Sequence, residues 1–377
     1  MTEIEMSTIR DALKGTLGST LVDGVVHVHR LPQWTRGQYG ADELLPVVAA
    51  HGSGVRLELE TAATWLELTT VITPLVIEGV ELPAPRIVVE VGGADQSYSV
   101  QAGHPRDLFS AGVMTLEPGA PSVSRFELPH QGEPIPREVT IWLPHSSRIA
   151  ILGVDADASV AVATGSRPRW IHYGSSISHC LEADSPVRVW PVAVARECGL
   201  DLLSLGLAGE ALLDPFAARA IRDTPADMIS LKIGINIVEG SAMRSRTFVA
   251  AMHGFLDTVR EGHPDTPVLV VSPIFCPAVE EFPGPSRMVD GVLLTSGVPA
   301  TPGDGQLTLT VVRNLLRGIV EDRATTDPNL DYLDGRELFG ASDLPHMPDH
   351  LHPNTHGYGL MSGRFAASAW MSANKPH

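Results

Sequence analysis

The chain predicts an all-β sandwich of jelly-roll type over residues 1–165, followed by a three-layer α/β/α domain with a parallel sheet over residues 166–377. Three observations predict it. Short alternating or apolar runs, bounded by turn residues, fill the first half with no helical spacing between them. The pattern changes at Thr164-Gly-Ser-Arg-Pro-Arg169, and beyond it strand-like runs alternate with helix-like ones. A length of 377 residues suits two domains, and 44% apolar residues can fill two cores.

In the first part the candidate strands are Val55–Glu60 (VRLELE), Thr64–Val71, Arg86–Val91 (RIVVEV), Ser122–Leu128, Glu138–Leu143 and Ile149–Val154. Close spacing of many short strands is the mark of a sandwich. In the second part the strands are Trp170–Tyr173, Asp201–Leu205, Asp227–Ile233 and Pro267–Val271. Helical spacing joins Phe248, Met252, Phe255, Leu256 and Val259, then Leu307, Val311, Leu315 and Ile319, and a closing helix is expected from about Thr355. A parallel sheet flanked by helices places its site at the carboxyl ends of the strands. Gly174, Gly206 and Gly234 each end one of these strands.

Composition narrows the function. A net charge of −17 argues against nucleic-acid or anionic-membrane partners, which need basic surface. The three cysteines, Cys180, Cys198 and Cys276, show no CxxC spacing, so neither a disulfide framework nor a thiolate metal site is expected. The N-terminal stretch lacks a basic start and an apolar run, and no window approaches a membrane span. A soluble, cytoplasmic protein is therefore expected.

The chemistry lies in WIHYGSSISHC, Trp170 to Cys180, and DHLHPN, Asp349 to Asn354. The first is a strand that breaks at Gly174 and delivers hydroxyls at its tip. The second sets a carboxylate three residues before a histidine, next to a turn-stiffening proline. A serine needs a positioned base to become a nucleophile, and the base needs a carboxylate to fix its tautomer. Ser176, two residues beyond the strand-ending glycine, is the expected nucleophile; Ser175 and Ser178 are rivals, and all three also suit helix capping. His352 is the expected base and Asp349 its orienting acid. His346, His350 and His356 crowd the same segment, but no HExxH pattern or nearby cysteine supports zinc. Glu210 and Glu239 border the expected site. The proline-rich run Ser272–Ser286 follows a strand and is a candidate loop over the pocket.

Taken as a set, these residues resemble the SGNH (GDSL-type) hydrolase superfamily. Gly174-Ser175-Ser176-Ile177-Ser178 matches its first block, Ser204-Leu-Gly206-Leu-Ala-Gly209-Glu210 the second, Gly234-Ile-Asn236 the third, and Asp349-His-Leu-His352-Pro-Asn354 the fourth. The match runs from about Arg169 to Trp370, in the right order. Ser175 replaces the usual Asp, Ser204 stands where Asn is common, and Ile237 stands where Asp usually follows the Asn; none of these removes a catalytic atom. The resemblance implies a flavodoxin-like sheet, a catalytic set of Ser176, His352 and Asp349, and an oxyanion hole formed by Ser176, Gly209 and Asn236. The two-domain plan also resembles a GDSL-type acyltransferase of tetracycline-class polyketide biosynthesis.

The resulting expectation is a serine esterase or acylhydrolase that cleaves an O-acyl ester of a small molecule or glycoside through an acyl-enzyme, with no metal or organic cofactor. One rival is an acyltransferase that passes the acyl group from an activated thioester to an alcohol of a natural product. A rival of another class is a non-catalytic carbohydrate- or metabolite-binding protein. The expected partner is a small acyl ester or thioester, and a homodimer is left open.

Overall fold

A computed structural model describes residues 2–100, 103–110, 112–129 and 135–375. The chain divides into two units. One comprises Met1–Arg167, Ala183–Val192 and Asp201–Ser204; the other comprises Pro168–Glu182, Ala193–Leu200 and Leu205–His377.

The first unit holds two sheets. In the eight-stranded sheet, Trp65–Ile77 is the longest strand and pairs antiparallel with Ser147–Ala156 and with Ser122–Glu127. The six-stranded sheet centres on Arg56–Thr61 and Arg137–Trp142, paired antiparallel. Alternation explains the burial. Leu66, Leu68 and Ile72 point inward from the long strand and join Leu57, Leu59, Val139 and Ile141 of the other sheet in one apolar core. Each such side chain contributes roughly 1.5–3 kcal/mol through burial. One pairing is parallel, between Leu75–Ile77 and Asp107–Phe109, and a bulge shifts the register between Ile151 and Gly153. All six expected strands are present, although Thr64–Val71 is the start of a strand that runs on to Ile77.

The five strands of the α/β part are β1 (Arg169–Gly174), β2 (Asp201–Gly206), β3 (Met228–Lys232), β4 (Val268–Val271) and β5 (Leu330–Leu333). They lie in the order β2-β1-β3-β4-β5, with β1, β3, β4 and β5 mutually parallel. This is the flavodoxin-like order, in which the switch point falls between β1 and β3. Strands β3 and β4 are buried along their whole length, as covered parallel strands must be. The helix Ser245–Gly262 buries Phe248, Met252, Phe255, Leu256 and Val259, the expected face. Phe255 meets Tyr173 of β1 with ring centroids 5.2 Å apart, and Trp170 stacks on Phe365 at 5.4 Å. Among the described residues, no helix is long and apolar enough to cross a membrane.

The helix Leu309–Arg323 departs from expectation. Its inward face is Leu309, Val312, Arg313, Leu316, Ile319 and Val320, so of the expected Leu307, Val311, Leu315 and Ile319 only Ile319 belongs to it. Thr308 caps the helix by accepting from Val311 N at 3.2 Å, which leaves Leu307 outside it. The face also turns inward through an arginine. Arg313 is buried because it donates to the carbonyls of Pro273 (3.0 Å) and Ile274 (2.9 Å) and pairs with Glu280 at 2.5 Å. Hydrophobic periodicity cannot find a buried cation of that kind.

Candidate active site

The first loop is built around close packing at Gly174. A Cβ there would lie 2.3 Å from Ser178 Oγ, so only glycine lets the chain turn directly into the short helix Ser176–His179. Ser175 is the N-cap and accepts from Ile177 N at 3.4 Å. Ser178 is fully buried and bonds His172 Nε2 at 2.8 Å; His172 Nδ1 bonds Ser230 Oγ at 2.7 Å, and Trp170 Nε1 donates to that same hydroxyl at 2.9 Å. Burial holds His172 down at about 3, with Lys232 adding to the effect, so this ring is neutral. Two of the three candidate hydroxyls are thus engaged in the scaffold. Ser176 Oγ lies 3.0 Å from His352 Nε2.

The fourth block makes its own turn. Asp349 Oδ1 accepts from Leu351 N (2.9 Å) and His352 N (2.6 Å), while Oδ2 takes His352 Nδ1 at 2.6 Å. His350 occupies the left-handed region at φ 64° and is exposed. Asn354 then caps the helix Thr355–Ala366 through Gly357 N at 3.0 Å. The other histidines do not gather: His346 and His356 face each other with ring centroids 4.2 Å apart, on the flank of that turn. Among the described residues, no group of three or more His, Cys, Asp or Glu could hold a metal ion.

Charge explains the titration of His352. Burial opposes an imidazolium at His352, but the carboxylates of Glu182, Asp349 and Glu239 outweigh it and raise the ring to about 9. Burial likewise works against the Asp349 carboxylate, yet His352 and two backbone N–H groups hold it below its ordinary range.

The second and third loops are tied to each other and to the first. Leu207 N donates to the Gly174 carbonyl at 2.7 Å. Ala211 N donates to Asn236 Oδ1 at 3.2 Å, which fixes the amide and leaves its NH2 group as the available donor. Gly209, two residues before Ala211, is exposed and sits at φ 79°, a conformation that favours glycine. Gly234 at φ 126° starts the turn to Asn236, and a Cβ on it would meet Val312 Cγ1 at 2.6 Å.

The proline-rich run joins the flanks of the site. Cys276 Sγ donates to the His350 carbonyl at 3.0 Å, and Ser286 N to the Glu239 carbonyl at 2.9 Å. It leads into a hairpin, Arg287–Val289 with Val292–Leu294, whose Leu293 N donates to the Asp349 carbonyl at 2.9 Å.

Sequence reasoning missed Glu182 and Tyr358. Glu182 Oε1 lies 3.4 Å from His352 Nδ1, and Tyr358 OH donates to Glu182 Oε2 at 2.7 Å. Neither belongs to a motif; an acidic residue shortly after the serine loop is too common a feature to single out.

A hydroxyl, an imidazole and a carboxylate in hydrogen-bonded series, on loops at the carboxyl ends of a parallel sheet, are the groups that acyl transfer through a serine requires, and the family they fit identifies an enzyme that acts on ester bonds. The chain belongs to the GDSL-like lipase/acylhydrolase family, whose profile matches residues 172–360, half of its length. Its fold is similar to that of the salicylyl-acyltransferase SsfX3 from a tetracycline biosynthetic pathway, with 27% identity over 96% of this chain and 94% of that one and a TM-score of 0.77. A Bacteroides ovatus chain described as a GDSL-like lipase matches at 18% identity over 98% of both chains, with a TM-score of 0.67. A family two carbohydrate esterase from Clostridium thermocellum matches at 14% identity over 86% of this chain and 94% of that one, with a TM-score of 0.57. No curated protein matches the chain.

Proposed function

We propose that this enzyme transfers acyl groups through an ester on Ser176, with a small-molecule O-acyl ester or glycoside ester as donor and water as acceptor. The observation that carries the reading is the continuous series Ser176 Oγ–His352 Nε2 at 3.0 Å and His352 Nδ1–Asp349 Oδ2 at 2.6 Å. Ser176 attacks the carbonyl carbon while His352 takes its proton. The oxyanion that forms is held by the amide of Ser176, the amide of Gly209 and the side chain of Asn236. Collapse expels the alcohol, protonated by His352; water then attacks the acyl-enzyme by the same steps and releases the acid. Asp349 holds the ring in the tautomer that leaves Nε2 free to accept.

A second reading, transfer to the hydroxyl of an acceptor molecule, is favoured by the similarity to the salicylyl-acyltransferase across nearly the whole of both chains. The two readings share the acyl-enzyme and differ in what reaches it. Both are tested by intact-mass detection of adducts with a panel of activated esters and acyl-CoA thioesters, with and without competing alcohols. An adduct on the wild type and none on Ser176→Ala is the expected result. Preferential product formation with an alcohol over water selects transfer. An adduct that survives in Ser176→Ala and disappears in Ser175→Ala overturns the assignment.

A further inference from the structure

His352 Nδ1 faces two carboxylates. Asp349 accepts a hydrogen bond from it at 2.6 Å, and Glu182 Oε1 stands 3.4 Å away, too far to compete for that bond and near enough to act as a charge. Glu182 is held in place. Tyr358 is fully buried, and its OH donates to Glu182 Oε2 at 2.7 Å, a bond that favours the ionised carboxylate. A carboxylate drawn out of water without compensation would be costly, and the compensation lies in Tyr358 on one oxygen and the imidazole on the other.

We propose that Glu182 is a positioning residue of the acyl-transfer site, a second carboxylate on His352 that Tyr358 locks in place and that stabilises the imidazolium formed when Ser176 gives up its proton. The proposal deepens the serine acyl-transfer reading and rests on it. With neutral His352 the Glu182 charge gains little. Once the ring carries a proton, it lies between two carboxylates, and the attraction grows as the transition state is approached. The same attraction delays deprotonation of the ring in the free enzyme, in keeping with a His352 raised to about 9. The groups that face this pair are Asp349 and Glu239 around His352, and Tyr358, His352 and Asp349 around Glu182, with Cys180 acting on Tyr358. Burial holds the Glu182 carboxyl above its ordinary range, while His352 and the Tyr358 bond work to lower it, so Glu182 and His352 titrate as a coupled pair.

The test compares wild type, Glu182→Gln and Tyr358→Phe by two readouts. The first is kcat/KM for an activated aryl ester from about pH 5 to about pH 10. In Glu182→Gln the acid limb should move to lower pH by about one unit or more and the plateau should fall about tenfold, so that the variant keeps a larger share of its own maximum at low pH. Tyr358→Phe should shift the limb the same way by less. The second readout is NMR titration of His352 in isotope-labelled enzyme, assigned with His352→Ala, which needs no turnover. A fall in the His352 midpoint in both variants supports the proposal. An unchanged midpoint in folded Tyr358→Phe and Glu182→Gln, or a loss of kcat with no movement of the limb, overturns it and leaves Glu182 a packing residue. Absence of aryl-ester turnover in wild type would count against the acyl-transfer reading, while the NMR titration would still decide the role of Glu182.

Discussion

Removing the Asn236 side chain tests the proposed oxyanion hole and should separate catalysis from binding. Its Oδ1 already accepts from Ala211 N at 3.2 Å, so the NH2 group is what can meet a developing oxyanion. Loss of one such donor typically lowers kcat about 10²–10³-fold, about 2.7–4 kcal/mol of transition-state stabilisation. Asn236→Ala also strands the buried Ala211 N–H, which costs about 1–3 kcal/mol of stability. That N–H lies two residues beyond Gly209, so the loop that carries the proposed Gly209 donor loses its tether, and the loss of kcat should fall toward the larger end of the range. Asn236→Asp keeps an acceptor for Ala211 and removes only the donor, while placing a negative charge where the oxyanion forms; its kcat should fall at least as far. The assay is single-turnover acylation with an activated aryl ester, alongside urea unfolding of each variant. Both variants should still bind substrate, with KM changed much less than kcat. An unchanged kcat with a large rise in KM would refute the reasoning and make Asn236 a ground-state binding residue.

Two further outcomes are expected. His352→Ala should be nearly inactive, whereas exposed His350→Ala should stay within about an order of magnitude of wild type, and EDTA should leave turnover unchanged; loss of activity in EDTA that zinc restores would refute the base assignment. Lys232 is buried, its Nζ has no hydrogen-bond partner among the described residues, and burial lowers it from 10.5 to about 7. Because its folded value is depressed, the unfolded chain binds more protons between about pH 7 and pH 10.5, so wild-type stability should rise with pH across that window. Lys232→Met should flatten this rise and add on the order of 4 kcal/mol at neutral pH, read by urea unfolding; an equal pH slope in both proteins would refute it.

The parts of the fold legible in the sequence are those with sustained periodicity. The helix over Ser245–Gly262 shows its whole buried face as a 3.6-residue pattern, and β3 and β4 read as apolar runs because parallel strands are covered on both sides. Several edge strands escaped, although β2, at one edge of the five-stranded sheet, did not. Thr20–Val22 and the two-residue strands Thr2–Glu3 and Leu13–Lys14 are too short to show a period, and Leu330–Leu333 (LDYL) lacks the continuous apolar run that marks β4. Ala94–Ser99 (ADQSYS) is half-exposed and polar, and it is a strand because it pairs with Arg86–Val91 rather than through its own propensity. The early helix Met6–Ala12 buries only Ile9 and Ala12. Asp349 and His352 could be singled out because their spacing encodes a local turn, and Ser176 because it follows the glycine that ends β1. Glu182 could not be, because its relation to His352 exists only once the segment after the helix Ser176–His179 and the loop before the helix Thr355–Ala366 are packed together.

The departures from the usual family blocks have local explanations. Ser175 occupies the first-block position normally held by Asp, and it caps the short helix through Ile177 N, a task to which serine and aspartate are both suited. Ile237 is fully buried behind Asn236, so a carboxylate at that position would need a partner inside the protein. What holds the site together instead is a chain of bonds between loops: Leu207 to Gly174, Ala211 to Asn236, Cys276 to His350 and Leu293 to Asp349. Two of these ties join backbone to backbone, and two run through the side chains of Asn236 and Cys276, so they constrain loop geometry without using the side chains at positions 175 and 237. A site built this way tolerates Ser for Asp at one position and Ile for Asp at another. The four blocks are therefore weak signals singly and informative as an ordered set, because what they encode is the anchoring of four loops and not one contiguous motif.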